Sequence, residues 1–183
     1  MVEFEKIKSA AIENLLIDKE KEWHCHVKFV LKIATELAAR YGGNMHVIKL
    51  AAILHDIGRG REFTKEDHLQ AGYRVAKDFF KKYEISKANE ELILKCIVNH
   101  SAEEEPDSLE ERIIITADSA SKIQHHQAFM LMVKKEDYRE RAKWGVKYLD
   151  KGYKLIQFEN YRDEIQSNYE LYRSIYDEVI SNV

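Results

Sequence analysis

Apolar positions recur three and four residues apart along most of this chain, the spacing of one amphipathic helical face. Phe4, Ile7, Ala11 and Leu15, with Ile12, mark a first helix over Glu3 to Asp18. Val30, Ile33, Ala34, Leu37 and Ala38 mark a second over Glu22 to Tyr41. Gly42-Gly43-Asn44 should end it, because glycine is favoured just past a helix. Met45 to Ile57 is apolar nearly throughout. A buried parallel strand is the rival reading, but the length and the alanines favour a buried helix. His55 and Asp56 would sit at its C-terminal end, and Gly58-Arg59-Gly60-Arg61 would break it.

Thr64, with Asp67 three residues on, predicts the cap of the next helix, which carries His68, Ala71, Val75, Phe79 and Phe80. Ser86 predicts the start of a helix bearing Leu92, Ile93, Cys96 and Ile97 and ending near His100. An acidic loop from Ser101 to Asp107 follows. Ser108 and Glu111 form a capping-box pattern ahead of Ile113, Ile114, Ala117 and Asp118, in a helix reaching toward His125-His126. Two or three helices complete the chain. One contains Trp144, Val146, Tyr148 and Leu149, and the last contains Tyr169, Tyr172, Ile175, Tyr176 and Val179, read as packing residues.

Composition agrees with this all-α picture. There are 7 glycines and 1 proline, Pro106, so helix breakers are few. A length of 183 residues with 45% apolar content suits one domain over 1–183, with a core region of about 20–125 and a C-terminal helical extension over 126–183. The extension is expected to pack over the core or against a second subunit, which would make a homodimer. A net charge of -3 with well-mixed signs gives no broad basic field for nucleic acid, though a local basic pocket remains compatible with it. Cys25 and Cys96 form no CxxC pair and read as reduced thiols. No apolar run reaches membrane-spanning length, and Met1 to Glu5 show no basic-then-apolar leader, so the expectation is a cytoplasmic protein with no membrane partner.

Chemistry enters with the 8 histidines. His26, His55, His68 and His100 lie on predicted helices or at their ends. Asp56 and Asp118 stand beside apolar helical residues, where a carboxylate needs a partner or a metal. Asp118 could instead pair with Lys122 one turn on. His24 points to a different face from His26, and His46, His125 and His126 read as surface residues.

Three segments carry a resemblance. Glu22-Trp23-His24-Cys25-His26 with Val30, Ile33 and Ala34, then Ala51 to Arg59 around His55-Asp56, then Ile113 to Ser119 around Asp118, together resemble the HD-domain superfamily of metal-dependent phosphohydrolases. The resemblance covers roughly residues 20 to 125 and implies a compact helical bundle. It also implies metal ligands at His26, His55, Asp56 and Asp118. His68 and His100 resemble the added histidines of dinuclear members, a branch that includes dinucleoside polyphosphate hydrolases, with Asp56 bridging two ions. Some nucleotidase members carry a glutamate three residues after the motif aspartate. Here that position is Arg59.

The expectation is therefore hydrolysis of a nucleotide or another small phosphorylated compound by metal-activated water, with Asp56 and Arg59 catalytic. Arg59, Arg61 and Lys122 are the candidate phosphate contacts, and Glu62 and Glu103 weaker candidates for orienting water. Two divalent ions are expected. The donor set does not distinguish manganese, iron, cobalt, nickel, zinc and magnesium. The alternatives are a non-catalytic ligand-binding or regulatory module on the same scaffold, and an iron-dependent redox enzyme.

Overall fold

The computed structural model describes residues 2–14, 18–61, 67–103 and 105–181. Among them there are helices and no strand. The helices are α1 (Val2–Asn14), α2 (Lys19–Glu22), α3 (Lys28–Tyr41), α4 (Met45–Leu54), α5 (His68–Phe80), α6 (Lys87–Asn99), α7 (Leu109–Gln124), α8 (His126–Met130), α9 (Tyr138–Leu155) and α10 (Glu159–Ser181). A π-helical turn, Trp23–Val27, joins α2 to α3.

α7 is the axis of the bundle. Every residue from Ile113 to Ile123 is buried, so the helix has no solvent face. It packs against α3, α4, α6, α8, α9 and α10. α4 is buried nearly as completely, from Val47 through Leu54 apart from Lys49. The helical backbone of Met45–Leu54 answers the strand-or-helix ambiguity of that apolar run in favour of helix. α5 and α6 pair beside α4, and α9 and α10 pack as a layer over α7, so the C-terminal part covers the core.

Local chemistry accounts for most boundaries. Gly42 and Gly43 take positive φ, ending α3, while the Asn44 side chain accepts from the amides of His46 and Val47 to start α4. Ser86 caps α6 by accepting from the Asn89 amide. Ser108 caps α7, but the Glu111 carboxylate is taken by the Ser108 hydroxyl and the Asn99 side-chain amide.

Some expectations are corrected. The first helix is described over Val2–Asn14, and Asp18, the expected end of it, stands in a turn. Leu15, Glu62 and Thr64 lie outside the described residues. Asp67 is the residue that caps α5, accepting from Leu69 and Gln70. α4 ends at Leu54, so His55 and Asp56 stand in a run of tight turns through Gly60. His126 is buried, contrary to a surface reading, because its ring bridges the Lys122 carbonyl (2.8 Å) and the Tyr176 hydroxyl (2.6 Å). His24 and His46 are exposed as expected. Cys25 and Cys96 are free thiols. No helix among the described residues is long and apolar enough to cross a membrane.

The turn after α4 is locked to α5 through backbone. A β-carbon on Gly58 would stand 1.9 Å from the His68 carbonyl oxygen and 2.4 Å from the Gly72 amide nitrogen. Neither atom can swing aside as a side chain can. Gly58→Ala is expected to cost roughly 3 kcal/mol, the scale of severe overpacking. A urea-denaturation midpoint within error of the parent protein would contradict this account of the α4–α5 junction.

Candidate metal centre

Five segments bring the site together. The π-helical turn carries His26, the turn after α4 carries His55 and Asp56, α5 opens with His68, and His100 follows directly on α6. Asp118 comes from the middle of α7. In the π-helical turn the Lys28 amide reaches back to the Trp23 carbonyl, five residues earlier. Such bulges re-aim side chains and cluster at functional sites. Here His26 faces inward while His24 stays exposed.

The ligand atoms fall into two groups, His26–His55–Asp118 and Asp56–His68–His100, with the donor atoms of each group mutually within 4.8 Å. The Asp56 carboxylate spans them. Its Oδ2 lies 3.8 Å from His26 Nε2 and 3.5 Å from His55 Nε2, and its Oδ1 lies 3.3 Å from His100 Nε2. Asp118 Oδ1 lies 3.0 Å from His26 Nε2 and 3.5 Å from His55 Nε2.

Tautomers follow from the outer hydrogen bonds. His55 Nδ1 is 2.9 Å from the Ala52 carbonyl and His100 Nδ1 is 2.7 Å from the Ile97 carbonyl. A carbonyl only accepts, so both Nδ1 atoms carry the proton. Ser121 donates its own proton to the Asp118 carbonyl at 2.8 Å, so its oxygen accepts from His26 Nδ1 at 3.2 Å. All three rings, when neutral, therefore turn an Nε2 lone pair into the site, as metal-binding histidines do.

The interior is thus lined with acceptors facing acceptors. His26 Nε2 and His55 Nε2 are 3.1 Å apart. Asp56 Oδ1, His68 Nε2, His100 Nε2 and Asp118 Oδ1 are buried without a hydrogen bond. Buried polar atoms rarely go unpaired. Their clustering, and their composition of imidazole nitrogen and carboxylate oxygen, fits divalent cations.

Proton affinities tell the same story. Burial favours a neutral His55, but the carboxylates of Asp56 and Asp118 outweigh it and raise the pKa, so positive charge is drawn to this spot. Burial lowers the pKa of His26, with Asp118 opposing. Burial and the Arg59 charge lower that of His68. Burial works against ionised Asp56 and Asp118, yet both are held well below the usual carboxylate range, Asp56 foremost by Arg59 and Asp118 foremost by Lys122.

The two flanking cations were read from the sequence as phosphate contacts. Arg59 Nε is 2.7 Å from Asp56 Oδ2, and Lys122 Nζ is 2.6 Å from Asp118 Oδ2. The Asp118–Lys122 pairing set against a metal role turns out to be compatible with one, since it uses the other carboxylate oxygen. Arg59 and Lys122 both line two adjoining cavities of about 220 and 400 Å³. Arg61 does not line them. Its carbonyl accepts from Arg74. Glu103 is exposed, beside a neighbouring cavity. Unforeseen from the sequence were Ser121, on the same helical face as Asp118, and the cavity wall of Phe129, Trp144 and Tyr148.

The HD domain family profile matches residues 23–123, a span that contains both ligand groups. The chain belongs to the HD domain family. Ribonuclease Y of Treponema denticola is 32% identical over 98 residues, covering 52% of this chain and 18% of that protein. The chain spans less than a fifth of that relative's length. An HD-superfamily hydrolase from Bacillus thuringiensis shares the fold, with a TM-score of 0.65 at 19% identity over 96% of this chain and 93% of its own. A Lactobacillus plantarum protein does so with a TM-score of 0.70 at 14% identity, over 97% and 95%.

Ser121 gives a direct check of the tautomer argument. Ser121→Ala leaves His26 Nδ1 without its acceptor and frees the ring to take the other tautomer. Metal affinity should fall about 10- to 100-fold, as for other outer partners of ligating histidines. Chelator-competition titration measures it. An unchanged affinity would mean that Ser121 does not set the state of His26.

Proposed function

We propose that the chain is a metal-dependent phosphohydrolase acting on a nucleotide or another small phosphorylated compound. The observation that carries the reading is the pair of ligand groups sharing Asp56, opening beside Arg59 and Lys122 into the two cavities. His26, His55 and Asp118 would hold one divalent cation, and His68 and His100 a second, with Asp56 between them. Bound there, such ions acidify water near neutral pH and offset charge on phosphoryl oxygens.

The chain's own groups prepare the rest. Asp56 and Asp118 are each neutralised by one cationic side chain, so every ion bound adds net positive charge for a phosphate. Arg59 keeps Asp56 ionised and stands where the two cavities meet, its side chain 45% exposed, so a phosphate can reach it. Lys122 does the same for Asp118 from a more buried position. The buried Nδ1 bonds fix the imidazoles, so little reorganisation is needed when ligands arrive.

The test joins elemental analysis to turnover of a panel of phosphate esters with several divalent metals. The parent protein is expected to hold two ions per chain and to lose turnover in EDTA. Asp56→Ala should lower turnover at least 100-fold and reduce bound metal. Near-normal values for both would sink the proposal. The His68→Ala, His100→Ala double variant should stay folded and keep one ion of the two. If the parent never exceeds one ion, the second position is wrong while the hydrolase reading stands.

A further inference from the structure

The two cavities beside the metal centre differ in chemistry. Both are lined by Arg59, Lys122 and Tyr148, so they adjoin where a reacting phosphate would lie. The larger is walled by Phe129, Trp144 and Tyr148. Phe129 and Trp144 lie nearly parallel, at 17° with centroids 5.7 Å apart, and Trp144 stacks on Tyr148 at 3.8 Å. Lys134 and Lys135, both exposed, stand at its rim. The smaller cavity is lined on its outer side by Lys147 and Lys151, exposed and one turn apart on α9.

We infer that one substrate lies across both cavities, a single nucleotide bearing more than one phosphate. Its base rests on the Phe129–Trp144–Tyr148 wall, and its outer phosphate meets Lys147 and Lys151. The inference rests on the phosphohydrolase reading and gives it specificity determinants. Planar aromatic walls suit bases of any sequence, because every base has a π-face. The lysines supply the complementary charge for an anion on the opposite side of Arg59. A nucleic-acid strand is a poorer match. Proteins that track strands set successive aromatics along a basic groove, and here the aromatic side chains lie on one side only. The base wall and the lysine pair all come from residues outside the 23–123 span of the family match.

The experiment compares ATP, GTP, AMP, inorganic tripolyphosphate and a five-nucleotide RNA. It uses steady-state turnover with manganese and equilibrium binding by calorimetry in calcium buffer. ATP or GTP should exceed AMP and tripolyphosphate at least tenfold in both kcat/KM and affinity. Lys147→Gln with Lys151→Gln, two exposed positions that leave the fold intact, should erase the advantage of ATP over AMP. Trp144→Ala should erase its advantage over tripolyphosphate. Equal binding of AMP and ATP, a lysine variant indistinguishable from the parent, or preference for the RNA would each overturn the inference. If the expected binding pattern appears but no phosphate ester is hydrolysed, the two-armed cleft stands and the phosphohydrolase reading fails. If hydrolysis appears without the pattern, the reverse holds.

Discussion

Electron pairs aimed at one another inside a protein repel unless something positive stands between them. The interior of this fold is arranged around that repulsion. Nε2 of His26 and His55, Oδ1 of Asp56 and Oδ1 of Asp118 converge beside the ends of α4 and α6 and the middle of α7. Ionised carboxylates in such surroundings cost several kcal/mol each, even after relaxation. Arg59 and Lys122 offset part of that cost and leave the inward-facing atoms unsatisfied. The remaining deficit is one that a cation would offset. The outer bonds from Ala52, Ile97 and Ser121 keep the rings from relieving it by flipping.

The rest of the bundle can be understood as support for that confinement. An aspartate in the middle of α7 is enclosed because the helix has apolar or small neighbours on every side. The small residues around Asp118, among them Ala117, Ser119 and Ala120, allow α3, α4 and α9 to close in. α8 is only five residues long, yet its Phe129 ring meets both the His26 ring and the Trp144 ring. His126, at the start of the same helix, is held by the Tyr176 hydroxyl. The last helix thereby fixes a wall of the cleft without approaching the metal ligands itself.

Much of this was legible in the residues alone. The apolar period marked the helices, and Gly42-Gly43-Asn44, Ser86 and Ser108 marked their ends, because each signal is local. The site was legible through a resemblance carried by His26, His55-Asp56 and Asp118, and the structure brings the residues it implied together in two groups. What stayed hidden depends on distant packing. The π-helical turn adds one residue to a helix without disturbing its hydrophobic stripe. His126 looked like a surface residue because nothing near it in sequence reveals Tyr176, fifty positions later. Trp144 and Tyr148 sit at ordinary helical spacing, and their place in the cleft is set by how α9 crosses α7. Thr64 was the attractive cap for α5 on the basis of a three-residue pattern, whereas Asp67, next to the helix, does the capping.

Gly58 and Gly72 meet backbone to backbone, between the turn that carries Asp56 and the helix that begins with His68. The distance from the His55-Asp56 turn to His68 is thereby set by the thickness of peptide planes, as in a gauge block, and not by the rotamers of neighbouring side chains. Residues lining the cleft can then be exchanged as substrates change while the spacing of the centre is inherited intact. That spacing rests on two positions that hold no reactive group at all.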